Sequence, residues 1–360
     1  MKIASSSSLS SSGSISDPLE FSLLAEDTTS SMLDFSPAHL LVSTTLLLAA
    51  TLTAPYLLYK LQQYMLLKSS IPFIARYANN ILFVAAFLIN LFTVQLPGRF
   101  DSNASMESKN KTILNFAPIF APAGWAFAIW GVIYLGEILL SVSVGTNFLY
   151  RDYIDKHHIT LGWASANIIQ SLWCFSFRDT FKKVLWLPTL KLAGAALSQI
   201  VALKGVMQVM EEVDASIPEG GNHFFNMKII LGWFISFPIA LHAGWLMAAS
   251  LLNLNTFATE SGINLAENIA LANISVYLAV STSLATLYYT RNFFVPLTTA
   301  WALAAVASKT KTNSGMNKKN KPHAIDLVTS DSLYITQLWS SRGLLVVAFA
   351  FFVSNIVKLF

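Results

Sequence analysis

Nine apolar segments constrain this chain more than any other feature, because each is close to the length that a helix needs to cross a lipid bilayer. They lie at about 39–59, 81–97, 122–144, 159–177, 184–208, 229–252, 268–290, 292–308 and 336–357. A spanning helix needs about 20 apolar residues, and only helices or closed barrels satisfy every backbone polar group in lipid. Segments 81–97 and 292–308 are the shortest, and residues 71–80 could lengthen the first. The sequence therefore predicts an all-α, polytopic transmembrane helical bundle of about nine helices.

The composition agrees with a membrane protein and excludes a soluble one. Hydrophobic residues make up 54% of the chain and charged residues 12%, whereas soluble domains carry about 25% charged residues. The formal net charge of +4 is spread along the chain, which is too diffuse for a nucleic-acid partner. Cys174 is the only cysteine, so neither an intrachain disulfide nor a thiolate metal site is possible. We expect a multi-pass integral membrane protein in a lipid bilayer, with no metal site and no nucleic acid.

The hydrophilic stretches divide the chain into regions. Residues 1–38 are rich in serine and lack an apolar run of signal-peptide length, which predicts a disordered tail, with an organellar transit peptide as the alternative. Residues 39–80 are expected to hold an extra N-terminal transmembrane helix and a linker, and Pro55 should kink or end that helix. The longest hydrophilic connections are 98–119 and 309–335, and the second is basic and of low complexity. We expect it to be a disordered loop.

The positively charged residues predict a sidedness. If all nine segments cross, thirteen lysines and arginines fall on the side of the N-terminus and the two long loops, and eight on the other side. The positive-inside rule then places these loops in the cytosol. Asn103 and Asn110 each begin a glycosylation sequon within 98–119, which favours the opposite orientation. We give the charges more weight because such sequons are frequent by chance.

A long irregular motif opens the third apolar segment. It reads Phe120-Ala-Pro-Ala-Gly-Trp-Ala-Phe-Ala-Ile-Trp-Gly-Val-Ile-Tyr-Leu-Gly-Glu137. Pro122 is expected in the first helical turn, where its missing N–H has no consequence. Glu137 is the only carboxylate of the segment, which indicates a helix face turned towards other helices. This motif resembles the TspO/translocator-protein family, in particular its tryptophan-rich sensory protein branch. The matching residues are Phe120, Pro122, Ala123, Gly124, Trp125, Phe127, Ile129, Trp130, Gly131, Ile133, Tyr134, Leu135 and Gly136.

Three later segments resemble the same family. The stretch 162–177 is similar to its helix with a conserved asparagine and tryptophan, although Gln170 and Trp173 change the tryptophan spacing. The stretch 237–253 is similar to its proline, glycine and tryptophan helix, with His242 where the family usually has tyrosine. The stretch 295–303 matches a later valine and tryptophan element. The resemblance covers about residues 80–355 and leaves residues 1–75 outside it.

The resemblance implies a five-helix core at 81–252, preceded by the extra N-terminal helix and followed by C-terminal transmembrane helices within 253–360. It also implies binding of a planar hydrophobic ligand in an aromatic-lined cavity near Pro122, with the protein acting as a sensor or transporter. The ligand would be a porphyrin, another tetrapyrrole or a sterol-like molecule, because tryptophan faces suit planar partners. No cofactor is expected, and a homodimer is compatible with the resemblance.

Helical spacing independently groups many of the same residues. Residues three or four positions apart share a face of a helix, and polar groups in lipid must turn towards other helices or water. One face carries Phe127, Trp130, Tyr134 and Glu137, a second Trp163, Asn167 and Gln170, and a third Pro238, His242, Trp245, Ala249 and Asn253. We predict that these faces line one cavity. The candidate ligand-binding residues are Trp125, Phe127, Trp130, Tyr134, Asn167, Gln170, Trp173, His242, Trp245 and Asn253.

Structural roles compete with ligand binding for these residues. Tryptophans near helix ends often form a belt at the membrane interface, a role that fits Trp125, Trp163, Trp186 and Trp339. The deeper Trp130, Trp173 and Trp245 fit a pocket better. Asn167 and Gln170 could serve only as hydrogen bonds between helices. A histidine placed like His242 is more often a hydrogen-bonded core residue than a ligand contact.

Catalysis has no support in the motifs. The sequence has no phosphate-binding glycine loop, no catalytic triad pattern and no paired carboxylates, so no catalytic residue is assigned and an enzyme is not the favoured interpretation. A secondary transporter of a small solute unrelated to tetrapyrroles is the alternative function. Nine segments, prolines within them and Glu137 at membrane depth are compatible with it, whereas the lack of a visible inverted repeat counts against it.

Overall fold

A computed structural model describes residues 37–67, 71–97, 118–146, 153–154, 156–181, 184–216, 234–317 and 324–357. These residues form nine α-helices and no β-strand, which confirms the predicted all-α bundle. The helices are α1 Pro37–Leu67, α2 Pro72–Val94, α3 Ile129–Thr146, α4 Ile159–Phe175, α5 Trp186–Ser216, α6 Ser236–Glu260, α7 Leu265–Thr290, α8 Phe294–Asn317 and α9 Ala324–Val357. The predicted N-terminal tail lies outside the described residues except at 37–38, which begin α1.

Seven of the described helices are long and apolar enough to cross a membrane, and α4 and α8 are the two that are not. Helix α4 has only 17 residues, and twelve of its side chains are buried among other helices. A helix shielded from lipid can carry polar side chains, because neighbouring helices rather than hydrocarbon surround them. The chain is a multi-pass membrane protein, and the crossing of the bilayer by α4 and α8 stays a prediction.

Several helices extend beyond the apolar segments that predicted them. Helix α2 begins at Pro72, as the alternative start at residues 71–80 anticipated. Helix α1 continues through Pro55, so this proline does not end it. Helix α8 runs to Asn317 and α9 begins at Ala324, so the predicted loop 309–335 is largely helical, and only 318–323 lie outside the described residues. Hydropathy detects only the part of a helix that lies in lipid. The helix itself can continue into water, because its backbone hydrogen bonds do not depend on the surrounding solvent.

The packing that positions the site belongs to Thr44–Phe360, which forms a compact unit separate from Met1–Ser43. Helix α4 packs against α2 and α5, α5 packs against α6, and α6 also contacts α3 and α8. Helices α7, α8 and α9 pack against one another, and α7 and α8 also contact α6. Glycines permit the closest approaches: a Cβ on Gly162 would lie 2.7 Å from two backbone atoms of α5, and one on Gly244 would lie 2.8 Å from Thr298 of α8.

Candidate functional site

Four aromatic side chains form a contiguous group at the facing sides of α3 and α6, here called the aromatic cluster: Phe127, Trp130, Tyr134 and Trp245. Trp130 stacks on Tyr134 with ring centroids 5.3 Å apart and an interplanar angle of 21°. Trp245 meets Trp130 edge-on at 6.1 Å and Phe127 edge-on at 5.7 Å. These are the offset and T-shaped arrangements that aromatic pairs prefer. Side chains of α3, α6 and the 3-10 helix before α3 are therefore in contact here, and the predicted cavity stays a prediction.

A short 3-10 helix, Gly124–Ala128, precedes α3 and is held by α8. The indole nitrogen of Trp301 donates to the carbonyl of Ala126 at 3.1 Å, and the backbone nitrogen of Ala123 donates to the carbonyl of Ala305 at 2.9 Å. Trp125 meets Trp301 edge-on at 4.7 Å. Pro122 lies just before this 3-10 helix rather than within the first α-helical turn. The motif around Trp125 thus depends on a helix outside the predicted five-helix core.

A buried ionisable pair joins α3 to α6 next to the aromatic cluster. Oε1 of Glu137 lies 2.6 Å from Nδ1 of His242, and both side chains are fully buried. The amide nitrogen of Gln199, on α5, lies 3.1 Å from the same Nδ1. Trp130 meets the His242 ring edge-on at 5.6 Å. A carboxyl and an imidazole therefore lie in contact in the interior of the bundle, directly against an aromatic residue.

Among the described residues, three buried polar atoms of this triad of Glu137, His242 and Gln199 have no hydrogen-bond partner: Oε2 of Glu137, Nε2 of His242 and Oε1 of Gln199. Burial of an unsatisfied polar atom costs about 1–3 kcal/mol. The triad therefore has hydrogen-bonding capacity beyond what the packing of α3, α5 and α6 uses.

A second polar group links α2, α4 and α3. Nδ2 of Asn90 donates to Oδ1 of Asn167 at 2.9 Å and to Oε1 of Gln170 at 3.1 Å. Nε2 of Gln170 donates to the hydroxyl of Tyr134 at 3.3 Å, which connects this network to the aromatic cluster. Asn167 and Gln170 thus act as interhelical hydrogen bonds, the structural role that the sequence left open.

Comparison with known families decides the classification of this arrangement. The sequence model described as TSPO-like protein matches residues 41–336. The chain belongs to this TSPO-like family. The matched region includes most of α1, so the earlier expectation that residues 1–75 lie outside the resemblance is wrong for α1. Searches of curated proteins and of solved structures find no match.

In this TSPO-like chain, the remaining candidate residues have contacts outside the aromatic cluster. Trp125 pairs with Trp301, as described above. Trp173, near the end of α4, meets Phe177 edge-on at 5.0 Å. Asn253 donates to the carbonyl of Ala249 in its own helix at 2.8 Å. Ligand contact by these three residues, as by the other candidates, stays a prediction.

Trp163 does not take the interfacial position that its location near a helix end suggested. It is fully buried and stacks on Phe83 with ring centroids 4.5 Å apart and an angle of 5°. Its indole nitrogen donates to the carbonyl of Phe83 at 3.0 Å. Close packing of α2 on α4 places this tryptophan in the core, where its N–H needs a partner.

Lys191 is a buried lysine of the α4–α5 hairpin. Its Nζ donates to the carbonyl of Leu172 at 3.0 Å and to the hydroxyl of Ser176 at 2.7 Å. Leu172 lies in the last turn of α4, where carbonyls lack intrahelical partners and cations are favoured. The side chain therefore caps α4 and fixes the start of α5 against it.

Two cavities in the described part of the chain are lined by other residues. A cavity of about 450 Å³ lies between α2 and α3 and is lined by Phe73, Tyr77, Asn80, Ile81, Val84, Ala85, Leu88, Val144, Gly145 and Thr146. A cavity of about 200 Å³ lies against α3 and α6 and is lined by Val132, Leu135, Gly136, Leu139, Phe234, Phe237 and Pro238. The rings of the aromatic cluster pack on one another, and none of them lines either cavity.

Proposed function

We propose that this TSPO-like membrane protein binds a planar hydrophobic ligand, a porphyrin or other tetrapyrrole or a sterol-like molecule, at the aromatic cluster. In this role it acts as a sensor or a transporter. The observation that carries the proposal is the stacked pair of Trp130 and Tyr134, with Trp245 edge-on to it and buried polar groups beside it. Membership of the TSPO-like family supports the same class of ligand.

The geometry of the cluster suits a flat partner. Trp130 and Tyr134 are only partly buried, and Phe127 is 47% exposed. A planar ligand that enters from this exposed side can replace the Trp130–Tyr134 stack by stacking on either ring. Since the rings fill one another's space, the ligand must separate them, and the gain from stacking on the ligand offsets the stacking that is lost.

Polar groups next to the cluster can orient the ligand. The Tyr134 hydroxyl, which accepts a hydrogen bond from Gln170, lies within the cluster. His242 lies against Trp130, and its Nε2 has no partner. A carboxylate or hydroxyl on the rim of a planar amphiphile needs such donors, because apolar pockets derive orientation from a few polar groups.

The test is a titration of protoporphyrin into detergent-solubilised protein, followed by quenching of tryptophan fluorescence. Replacement of Trp130 or Trp245 by Leu should weaken binding roughly tenfold, which corresponds to about 1.4 kcal/mol. Trp339→Leu is the matched control, because Trp339 is 64% exposed on α9 and lies outside the cluster. Equal affinity in wild type and in both cluster variants, with the fold intact, would contradict the proposal.

A secondary transporter of a small solute is the second candidate, favoured by the buried ionisable groups. Glu137, His242 and Lys191 are fully buried in helices of the bundle, and ionisable residues inside membranes commonly mark transport pathways. The titration separates the two functions. Two results together would favour the transporter. The protein would bind no porphyrin, and proteoliposomes that contain it would take up a polar solute at a rate that Glu137→Gln lowers.

A further inference from the structure

We propose that Glu137, His242 and Gln199 form a proton-binding site in the interior of the helix bundle, at which one proton is taken up and released. The proposal does not depend on the planar ligand. It rests on the 2.6 Å contact between Oε1 of Glu137 and Nδ1 of His242, on the full burial of both, and on the three unpartnered polar atoms of the triad.

The proton balance of the pair allows two neutral forms. In the first, Glu137 carries a proton on Oε1 and donates it to an unprotonated Nδ1, while Nε2 of His242 carries hydrogen. In the second, the proton has moved to Nδ1, which leaves a carboxylate beside an imidazolium, and Nε2 still carries hydrogen. The total charge is zero in both. Loss of the Nε2 proton leaves one net negative charge, with a carboxylate beside a neutral imidazole protonated on Nδ1. Since low dielectric penalises net charge, the site should keep this proton until the pair is exposed to a proton acceptor.

Gln199 makes a second contact with Nδ1 of His242, through its amide nitrogen at 3.1 Å. The amide nitrogen is a donor and the amide oxygen an acceptor, and a half-turn of the side chain exchanges the two. Gln199 can therefore accommodate either neutral form of the pair. Low dielectric favours the first form, in which the carboxyl carries the proton, because that form holds no separated charges.

Other charged groups on the packed helices are engaged elsewhere. On α5, Lys191 donates to the end of α4, and the ammonium of Lys204 lies over the Tyr289 ring at 5.0 Å. The acidic residues of α5, Glu211, Glu212 and Asp214, lie in its C-terminal turns, three or more turns beyond Gln199. The one other ionisable residue of α6 is Glu260, at its C-terminal end.

The remaining neighbours add little charge. Helix α3 contributes Tyr134, which Gln170 contacts. Helix α4 carries only Cys174 among titratable residues, α2 carries Arg76 and Tyr77 near its start, and α8 carries none before Lys309. On α7, Glu267 caps the helix start through Asn264, and Tyr277, Tyr288 and Tyr289 are exposed. The pair therefore has no third charge within the contacts that the described residues show.

The exchangeable proton is the one on Nε2 of His242, because Nδ1 is shared with Glu137 and Gln199. Nε2 is fully buried, so exchange with water requires a movement of the residues that contact the ring. Trp130 is one of these residues. Opening of the aromatic cluster would then give the pair access to a proton acceptor, and this access links the proton to the state of the cluster.

The test is pH-difference infrared spectroscopy on the full chain in liposomes between about pH 5 and about pH 8, the range in which histidine-containing sites titrate. Exposed carboxyls lose their protons at about pH 4 and are already ionised over most of this range. An infrared band of a protonated carboxyl that disappears within the range therefore reports a buried carboxyl. We expect such a band in the wild type, its loss in Glu137→Gln, and its persistence in Glu260→Gln, the matched control on α6.

Either of two results would overturn the proposal. The first is a wild type without any carboxyl change over this range, which needs no variant and is unaffected by folding defects. The second is a band that persists in folded Glu137→Gln protein. In the first case the triad would be a sealed structural contact, and in the second the proton would belong to another carboxyl. Neither result bears on porphyrin titration, so the two proposals can fail separately.

Discussion

Substitution of Gly162 by alanine should loosen the contact between α4 and α5 on which the triad depends. A Cβ at Gly162 would lie 2.7 Å from the backbone nitrogen of Ala202 and 2.7 Å from the backbone oxygen of Ser198. Ordinary contact begins at 3.4 Å, so α5 must retreat by about 0.7 Å (3.4 − 2.7), since backbone atoms cannot rotate away. A gap of about 0.5–1 Å forfeits a quarter to a half of the dispersion attraction across an interface.

The expected destabilisation is about 1–3 kcal/mol, the usual range for overpacking. Alanine also gains about 0.8–1.0 kcal/mol over glycine in helix propensity, which would mask part of the loss. Gly194→Ala is the matched control, because it gains the same helix propensity without a close contact. Gly194 lies at the same α4–α5 contact, but a Cβ there would meet only Ile169, at 3.9 Å. We therefore expect Gly162→Ala to unfold more easily than wild type and Gly194→Ala to be at least as stable as wild type.

The assay is thermal unfolding in detergent, followed by tryptophan fluorescence, for wild type and both variants. Gln199 adjoins Ser198, so the displacement of α5 should also break its 3.1 Å contact with His242. The carboxyl band of Glu137 should then shift in Gly162→Ala and stay unchanged in Gly194→Ala. Equal unfolding temperatures in the two variants would refute the idea that this close approach is rigid.

Two further outcomes follow from the structure and one from the charges of the sequence. Lys191→Met should lower the unfolding temperature, because it removes the donor to the Ser176 hydroxyl and the shorter of the two contacts to the Leu172 carbonyl, at a cost of about 1–3 kcal/mol. Trp301→Phe should destabilise by about 0.5–1.5 kcal/mol through loss of its indole hydrogen bond, whereas Trp339→Phe should not, and chemical denaturation compares the two. Expression in a glycosylating host should leave Asn103 and Asn110 unmodified if their loop is cytosolic, and a glycosidase-sensitive mass shift would reverse the assigned sidedness.

The sequence predicts the helices well because lipid imposes a single rule: every backbone polar group must form its hydrogen bond within the protein. Each of the nine apolar segments corresponds to one helix among the described residues. The rule says less about helix ends, which is why Pro55 within α1 and the polar extension of α8 to Asn317 were missed. A proline in a helix interior removes one hydrogen bond, and membrane helices tolerate this where neighbours or local adjustments compensate.

The candidate site could be predicted only where one face combined aromatic and polar residues. Trp130, His242 and Trp245 met this condition, and the structure brings them together. Asn90 and Gln199 were not predicted, because the partner of each lies on a segment that is distant in the sequence. A lone amide in a membrane helix is itself a signal, since lipid offers it no partner, but the sequence does not name that partner.

The contacts of α8 show that the C-terminal helices are part of the site rather than an addition to a five-helix core. The backbone of the 3-10 helix is bonded to Trp301 and Ala305, and Gly244 of α6 lies against Thr298. Without α8, the backbone groups of the 3-10 helix would lose these partners in a region where water is scarce, at a cost of several kcal/mol for each unsatisfied group. The 3-10 helix could then not hold Phe127 against Trp245. The unit that must stay intact for the proposed ligand binding therefore extends through residue 305, beyond the boundary at 252 that the resemblance alone implied.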